Sequence, residues 1–278
     1  CDWSSDVCSS DLAHFFARGP TNKAEKYAAP LLEATKDSNP YVRMAAVSAV
    51  RKIDSATAIG PLLSLLRDDT DYRVRVAAAR SLASFSSARA NKLLLASLSD
   101  KNVNVGVAIS EGLRPDMSLV GEIRKQAKRV RNWRIRTNLY RIAFAFQPSQ
   151  ELKHEIQKLY QSSQNDYERA GYLLALSSQI SSFEFFKEVV LNPPSPVIGT
   201  AAAQALVSLN QKEIKMTAEF AGVYRDAILK GDLGVIGIVC AALQDRKLGF
   251  KEQIKDFNFL KVAKSKLQLP KDVEVLQP

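Results

Sequence analysis

The segment Tyr41 to Val50, YVRMAAVSAV, is restated at Arg73 to Leu82, RVRVAAARSL, with Val42, Arg43, Ala45 and Ala46 falling on Val74, Arg75, Ala77 and Ala78 at an offset of 32 residues. A unit of that length cannot bury its own apolar face, so a fixed offset of this size predicts an array of stacked helical repeats. Counted from Arg43, the same position recurs at Arg75, Gly106, Arg136, Arg169, Gly199 and Ile236, at intervals of 32, 31, 30, 33, 30 and 37. Where the arginine is lost the small residues persist, as in IGTAAAQAL (198–206) and VIGIVCAAL (235–243). Small side chains three and four apart let helices approach closely, so the alanines are predicted to be contact surface.

A second, more apolar helix is predicted between successive motif helices. ATAIGPLLSLLR (56–67) puts Ile59, Leu62, Leu63 and Leu66 on one face, and Leu94, Leu95 and Leu98 repeat the pattern one unit later. Pro30-Leu31-Leu32 returns as Pro61-Leu62-Leu63, an independent offset of 31. Asp37-Ser38-Asn39-Pro40 and Asp68-Asp69-Thr70-Asp71 separate the units and carry the cap and turn residues that start helices.

The turn with Asp before V-R-x-A-A resembles HEAT repeats, particularly the short bacterial HEAT-like type that includes the lyases acting on bilin chromophores. The resemblance is closest over residues 37–100 and continues by spacing and small residues through five further units. It implies an all-α, right-handed α-solenoid of about seven HEAT-like hairpins over residues 13–269. In that family the motif arginine braces the neighbouring unit through acidic residues. Carried over, Arg43, Arg75, Arg136 and Arg169 are structural arginines, with Asp37, Asp68 and Asp71 the nearest candidate partners of the first two. Residues 220–269 also resemble the helical-repeat region of multidomain bacterial cyclophilin-type peptidyl-prolyl isomerases. The cyclophilin active-site pattern does not occur here, so that resemblance implies at most the helical arm of a larger enzyme.

Asp2 to Leu12, DWSSDVCSSDL, resembles the in-frame translation of a sequencing adapter. Residues 1–12 are therefore expected to be a non-native leader, and 270–278 a truncated C-terminal linker. Setting aside Asp2, Asp6 and Asp11 raises the net charge from +10 to +13, and setting aside Cys1 and Cys8 leaves Cys240 alone, within a repeat helix. One thiol forms no internal disulfide, which leaves the compartment open between cytoplasm and periplasm. The longest apolar run, 233–243, is too short to cross a bilayer.

Chemistry concentrates in the fourth unit. Between Ile123 and Gln150 no acidic residue occurs, while Arg124, Lys125, Lys128, Arg129, Arg131, Arg134, Arg136 and Arg141 supply eight cations around Trp133 and Tyr140. Cations with interleaved aromatics suit phosphate neutralisation and base stacking, which makes Arg124, Lys125, Lys128, Arg129, Arg131, Trp133, Arg134 and Tyr140 a candidate site for an anionic partner. The competing reading is a solvated charged face, with Trp133 and Tyr140 packed between units. His154, flanked by Glu151 and Glu155, fits a solvated helix face better than a metal site. No nucleophile elbow or phosphate-cradling loop is present. The sequence thus predicts a non-catalytic scaffold with no cofactor or metal, binding a protein along its concave face. The alternative is a nucleic-acid binder using the basic fourth unit.

Overall fold

The structure, a computed structural model, describes residues 15, 17–18, 25–114 and 117–267; the leader at 1–12 and the segment 270–278 lie outside them. Every regular element among the described residues is helical. The chain divides into two compact units, one up to Leu139 and one from Tyr140.

In the first unit α1 (Ala28–Ala34), α2 (Pro40–Val50), α3 (Ser55–Asp68), α4 (Tyr72–Ser84), α5 (Ala88–Ala96), α6 (Val103–Gly112) and α7 (Val120–Arg129) precede the first half of α8 (Trp133–Phe146). The motif helices stack on one another, α2 on α4 and α4 on α6, while α3 and α5 pack against them. Apolar residues four apart explain the layering. Val42, Ala46 and Val50 of α2 and Val74, Ala78 and Leu82 of α4 are buried, as are Ile59, Leu62 and Leu66 of α3 and Leu94 of α5. Small residues set the spacing. A Cβ added at Gly106 would lie 2.7 Å from Ile135 Cδ1 and 3.1 Å from the Leu98 carbonyl oxygen, so only glycine lets α6 seat there. Ser110, fully buried on α6, accepts from Asn138 Nδ2 at 3.0 Å and ties α8 to the stack.

The second unit continues from Tyr140 through α9 (Gln150–Ser162), α10 (Asp166–Leu176), α11 (Phe183–Leu191), α12 (Pro196–Lys212), α13 (Thr217–Lys230), α14 (Leu233–Gln244), α15 (Lys251–Ile254) and α16 (Phe259–Leu267). Motif helices again stack, α10 on α12 and α12 on α14, with α11 on α12 and α13 on α14. This core is aromatic. Phe183 meets Phe220 edge to face at 4.9 Å, and Tyr224 meets Phe250 at 5.6 Å. Phe186 is fully buried. Thr200 Oγ1 donates to the Gly234 carbonyl at 3.1 Å, a closeness that a Cβ at Gly234, 2.8 Å from that hydroxyl, would prevent.

One feature recurs in both units at higher fidelity than the arginine. The residue four positions before each motif position, Asn39, Asp71, Asn102, Asn132, Asn165, Ser195 or Asp232, caps its helix through a side-chain oxygen that accepts a first-turn N–H. Seven successive caps in one register fix where each motif helix begins, each satisfying a donor the helix leaves open.

Candidate functional site

The motif arginines are the first residues the fold positions. Arg43 donates through Nε to Asp69 Oδ2 at 2.7 Å and through Nη2 to Asp69 Oδ1 at 2.8 Å, while Nη1 reaches the carbonyls of Asp37 and Ser38. Arg75 repeats this one unit later, with Asp100 at 2.8 and 3.0 Å and the carbonyls of Asp69 and Thr70. Each guanidinium thus closes its own loop and clamps the next. The same carboxylates fold back on the chain, Asp69 Oδ1 accepting from Asp71 N and Asp100 Oδ1 from Asn102 N. Hydrogen bonds donated to the carboxylates raise both arginines above their ordinary pKa, with burial opposing. The partners are therefore Asp69 and Asp100, not Asp68 or Asp71. Asp71 is committed to the cap and to Arg73, and Asp68 is exposed on the end of α3. Asp37 contributes its carbonyl rather than its carboxylate.

The pattern changes beyond Gly106. Arg136 Nη1 donates to the Val130 carbonyl at 3.3 Å, the same own-loop contact six residues back. Arg169 lies over the Tyr160 ring at 4.7 Å and 3.5 Å from Asp166.

The basic cluster is divided between two helices and their connection. Arg124, Lys125, Lys128 and Arg129 stand on α7, Arg131 in the loop, and Arg134, Arg136 and Arg141 on α8. Lys125, Lys128, Arg129, Arg131, Arg134 and Arg141 are exposed and Arg124 is half-buried. Lys125 lies 3.6 Å from Glu122 and Arg134 3.3 Å from Glu111. Trp133 is half-buried. Tyr140 offers no stacking surface: it is 2% exposed, its hydroxyl donates to Glu155 Oε1 at 2.7 Å, and its ring meets Tyr172. Position 140 falls on the buried face of α8. Glu155 is engaged by that bond, and His154 lies exposed beside it. Among the described residues no group of three His, Cys, Asp or Glu side chains converges as a metal site. Burial pushes the Cys240 thiol up to about 11, away from the thiolate a nucleophile needs.

What the sequence did not flag is an exposed apolar residue in the first turn of the motif helices. In the first unit Tyr41, Tyr72 and Val103 are 57%, 41% and 46% exposed, one or two positions after their caps. In the second unit Tyr167, Val197 and Leu233 likewise stand one or two positions after their caps and are exposed. Arg73 sits over the Tyr41 ring at 4.9 Å and donates to its hydroxyl at 3.0 Å. Numbering each unit from its cap, rather than from its arginine, makes this row visible in the sequence. No described helix is long and apolar enough to cross a membrane.

Residues 20–83 match the family model for HEAT repeats, which spans the first two motif helices and their arginines. A comparison with curated proteins found no match.

Proposed function

We propose that this chain is a non-catalytic helical-repeat scaffold over residues 13–269 that binds a protein partner across the face of its motif helices. The observation that carries this reading is the row of exposed apolar residues after the caps, Tyr41, Tyr72 and Val103 in one unit and Tyr167, Val197 and Leu233 in the other. An isolated exposed apolar residue is ordinary, but one in the first turn of several motif helices suits a partner-binding face. HEAT repeats, matched at residues 20–83, commonly serve this role. The helical arm of a larger protein, such as a peptidyl-prolyl isomerase, is one setting for such a scaffold. The nucleic-acid alternative retains the exposed cations Lys125, Lys128, Arg129, Arg131 and Arg141 but loses Tyr140 as a stacking surface.

The test begins with a photo-crosslinking residue at Tyr72, and at Lys92 on α5 as control. The partner captured is then measured against the Tyr41→Ser/Tyr72→Ser/Val103→Ser variant. Specific capture from Tyr72 and a loss of affinity of about a hundredfold without change in helicity support the scaffold, since anchors of this kind each contribute above about 1 kcal/mol. Equal capture from Lys92, or unchanged affinity, overturns it. Duplex or single-stranded DNA or RNA binding that falls steeply with salt and is abolished by charge reversal at Arg129, Arg131 and Arg134 would establish the alternative.

A further inference from the structure

The C-terminal ends of α4 and α6 enclose a cleft of about 390 Å³, lined by Arg80, Ser84, Ser86, Glu111, Gly112 and Arg114. Its floor is a close helix contact, since a Cβ at Gly112 would lie 2.7 Å from Ala83 Cβ. One wall is held from behind. Asn91, 2% exposed on α5, accepts from Arg114 N at 2.7 Å and donates to the Arg114 carbonyl at 2.8 Å. The Arg114 guanidinium bonds the carbonyls of Glu111 and Leu113, each at 2.9 Å, which covers acceptors at the end of α6 that would otherwise repel an anion. Ser84 Oγ likewise covers the Ser81 carbonyl. Ser86 holds a left-handed backbone with φ 47°, the one non-glycine residue with positive φ among the described residues, and strain of this kind gathers at functional positions.

The charge balance is one-sided. Arg43, Arg73, Arg75 and Arg134 each have a carboxylate partner, and Glu111, the acidic residue of the cleft, is taken by Arg134. Arg80 is exposed at the mouth and has no ion pair among the described residues. An exposed arginine lining the same cleft as a second one held in place matches a forked acceptor.

We propose that the cleft of Arg80, Ser84, Ser86 and Arg114 is an anchor for a carboxylate side chain of a protein partner, so that the first unit recognises an acidic peptide segment. This deepens the scaffold reading and rests on it.

The experiment uses the full chain with a fluorescent dodecapeptide rich in glutamate, and its glutamine counterpart, measured by anisotropy at low salt. The arginine Nε–Hε resonances of Arg80 and Arg114 are followed by NMR. Binding at least tenfold tighter for the glutamate peptide, weakened at least tenfold by Arg80→Gln and accompanied by shifts of both resonances, supports the assignment. Equal binding of the two peptides, no binding, or glutamate-peptide binding that Arg80→Gln leaves intact while Arg129→Glu/Arg131→Glu abolishes it, overturns it. If the crosslinked partner is lost on substituting Tyr41, Tyr72 and Val103 but not Arg80, the scaffold stands and the cleft assignment falls. If the peptide shifts Arg80 and Arg114 while the partner ignores the apolar row, the scaffold face is the part that fails.

Discussion

Removing the carboxylate from Asp100 tests the physics of the repeat most directly. The Arg75 side chain is 2% exposed and the Asp100 side chain 10% exposed, so the ion pair sits almost wholly out of water. With Asp100→Ala, Nε and Nη2 of Arg75 lose their acceptors, while Nη1 keeps the Asp69 carbonyl. The cap residue Asn102 also loses the acceptor for its N–H. Breaking a buried pair from one side costs about 3 to 5 kcal/mol, and the carbonyl that remains argues for the lower end, about 3 kcal/mol. For a unit of this size that is a fall in melting temperature of about 10 °C. The exposed pair Arg73 and Asp71, with the Arg73 side chain 41% exposed, is the control. Arg73→Ala should cost far less than Asp100→Ala, the stacking on Tyr41 included, because water screens the exposed pair. Urea denaturation followed by far-UV circular dichroism measures both. A second arm replaces the pair together: Arg75→Met/Asp100→Leu should be less destabilised than Asp100→Ala, because no charge is left buried without its partner. A cost for Asp100→Ala no larger than that for Arg73→Ala would refute the claim that the arginine–aspartate pairs hold successive repeats together.

Three other outcomes follow from the same contacts. Gly106→Ala should destabilise by about 1 to 3 kcal/mol, since the Leu98 carbonyl cannot yield, whereas Gly60→Ala on the exposed side of α3, with nothing near its added Cβ, should stabilise by up to about 1 kcal/mol; thermal melts of the two variants give opposite signs. Asp71 is held down at about 2 by hydrogen bonds from the Arg73 side chain and backbone, so its contribution is complete above the ordinary value of 3.8 and is lost as pH falls from there through about 2. Across that window the wild-type denaturation midpoint should fall more than that of Asp71→Asn, which keeps the cap but does not titrate. Asn165→Ala removes an acceptor shared by the N–H groups of Tyr167 and Glu168 and should cost about 1 kcal/mol in chemical denaturation, with the Asn165→Ser variant recovering most of it.

The sequence determined the helical class, the pairing of a small-residue helix with a leucine-rich one, and the register of the repeat. All three depend on the spacing of side-chain volume and polarity along the chain, and Val42, Val74, Ile59 and Leu62 are buried as the 3.6-residue period requires. It also placed Arg43 and Arg75 in equivalent positions, because the offset of 32 residues is itself the distance from one stacked unit to the next. Tertiary structure decided the rest. That Asp69 and Asp100 receive the arginines, and not the neighbouring Asp68 and Asp71, depends on where the loop turns after the preceding helix ends. That Tyr140 is core while Tyr41 and Tyr72 are surface depends on which side of each helix its neighbours cover. The cleft at Arg80 and Arg114 exists because Gly112 lets α6 close on Ala83 while Asn91 holds the adjoining chain. Periodicity along one chain fixes what lies on a helix face; what meets that face is fixed by residues distant in sequence.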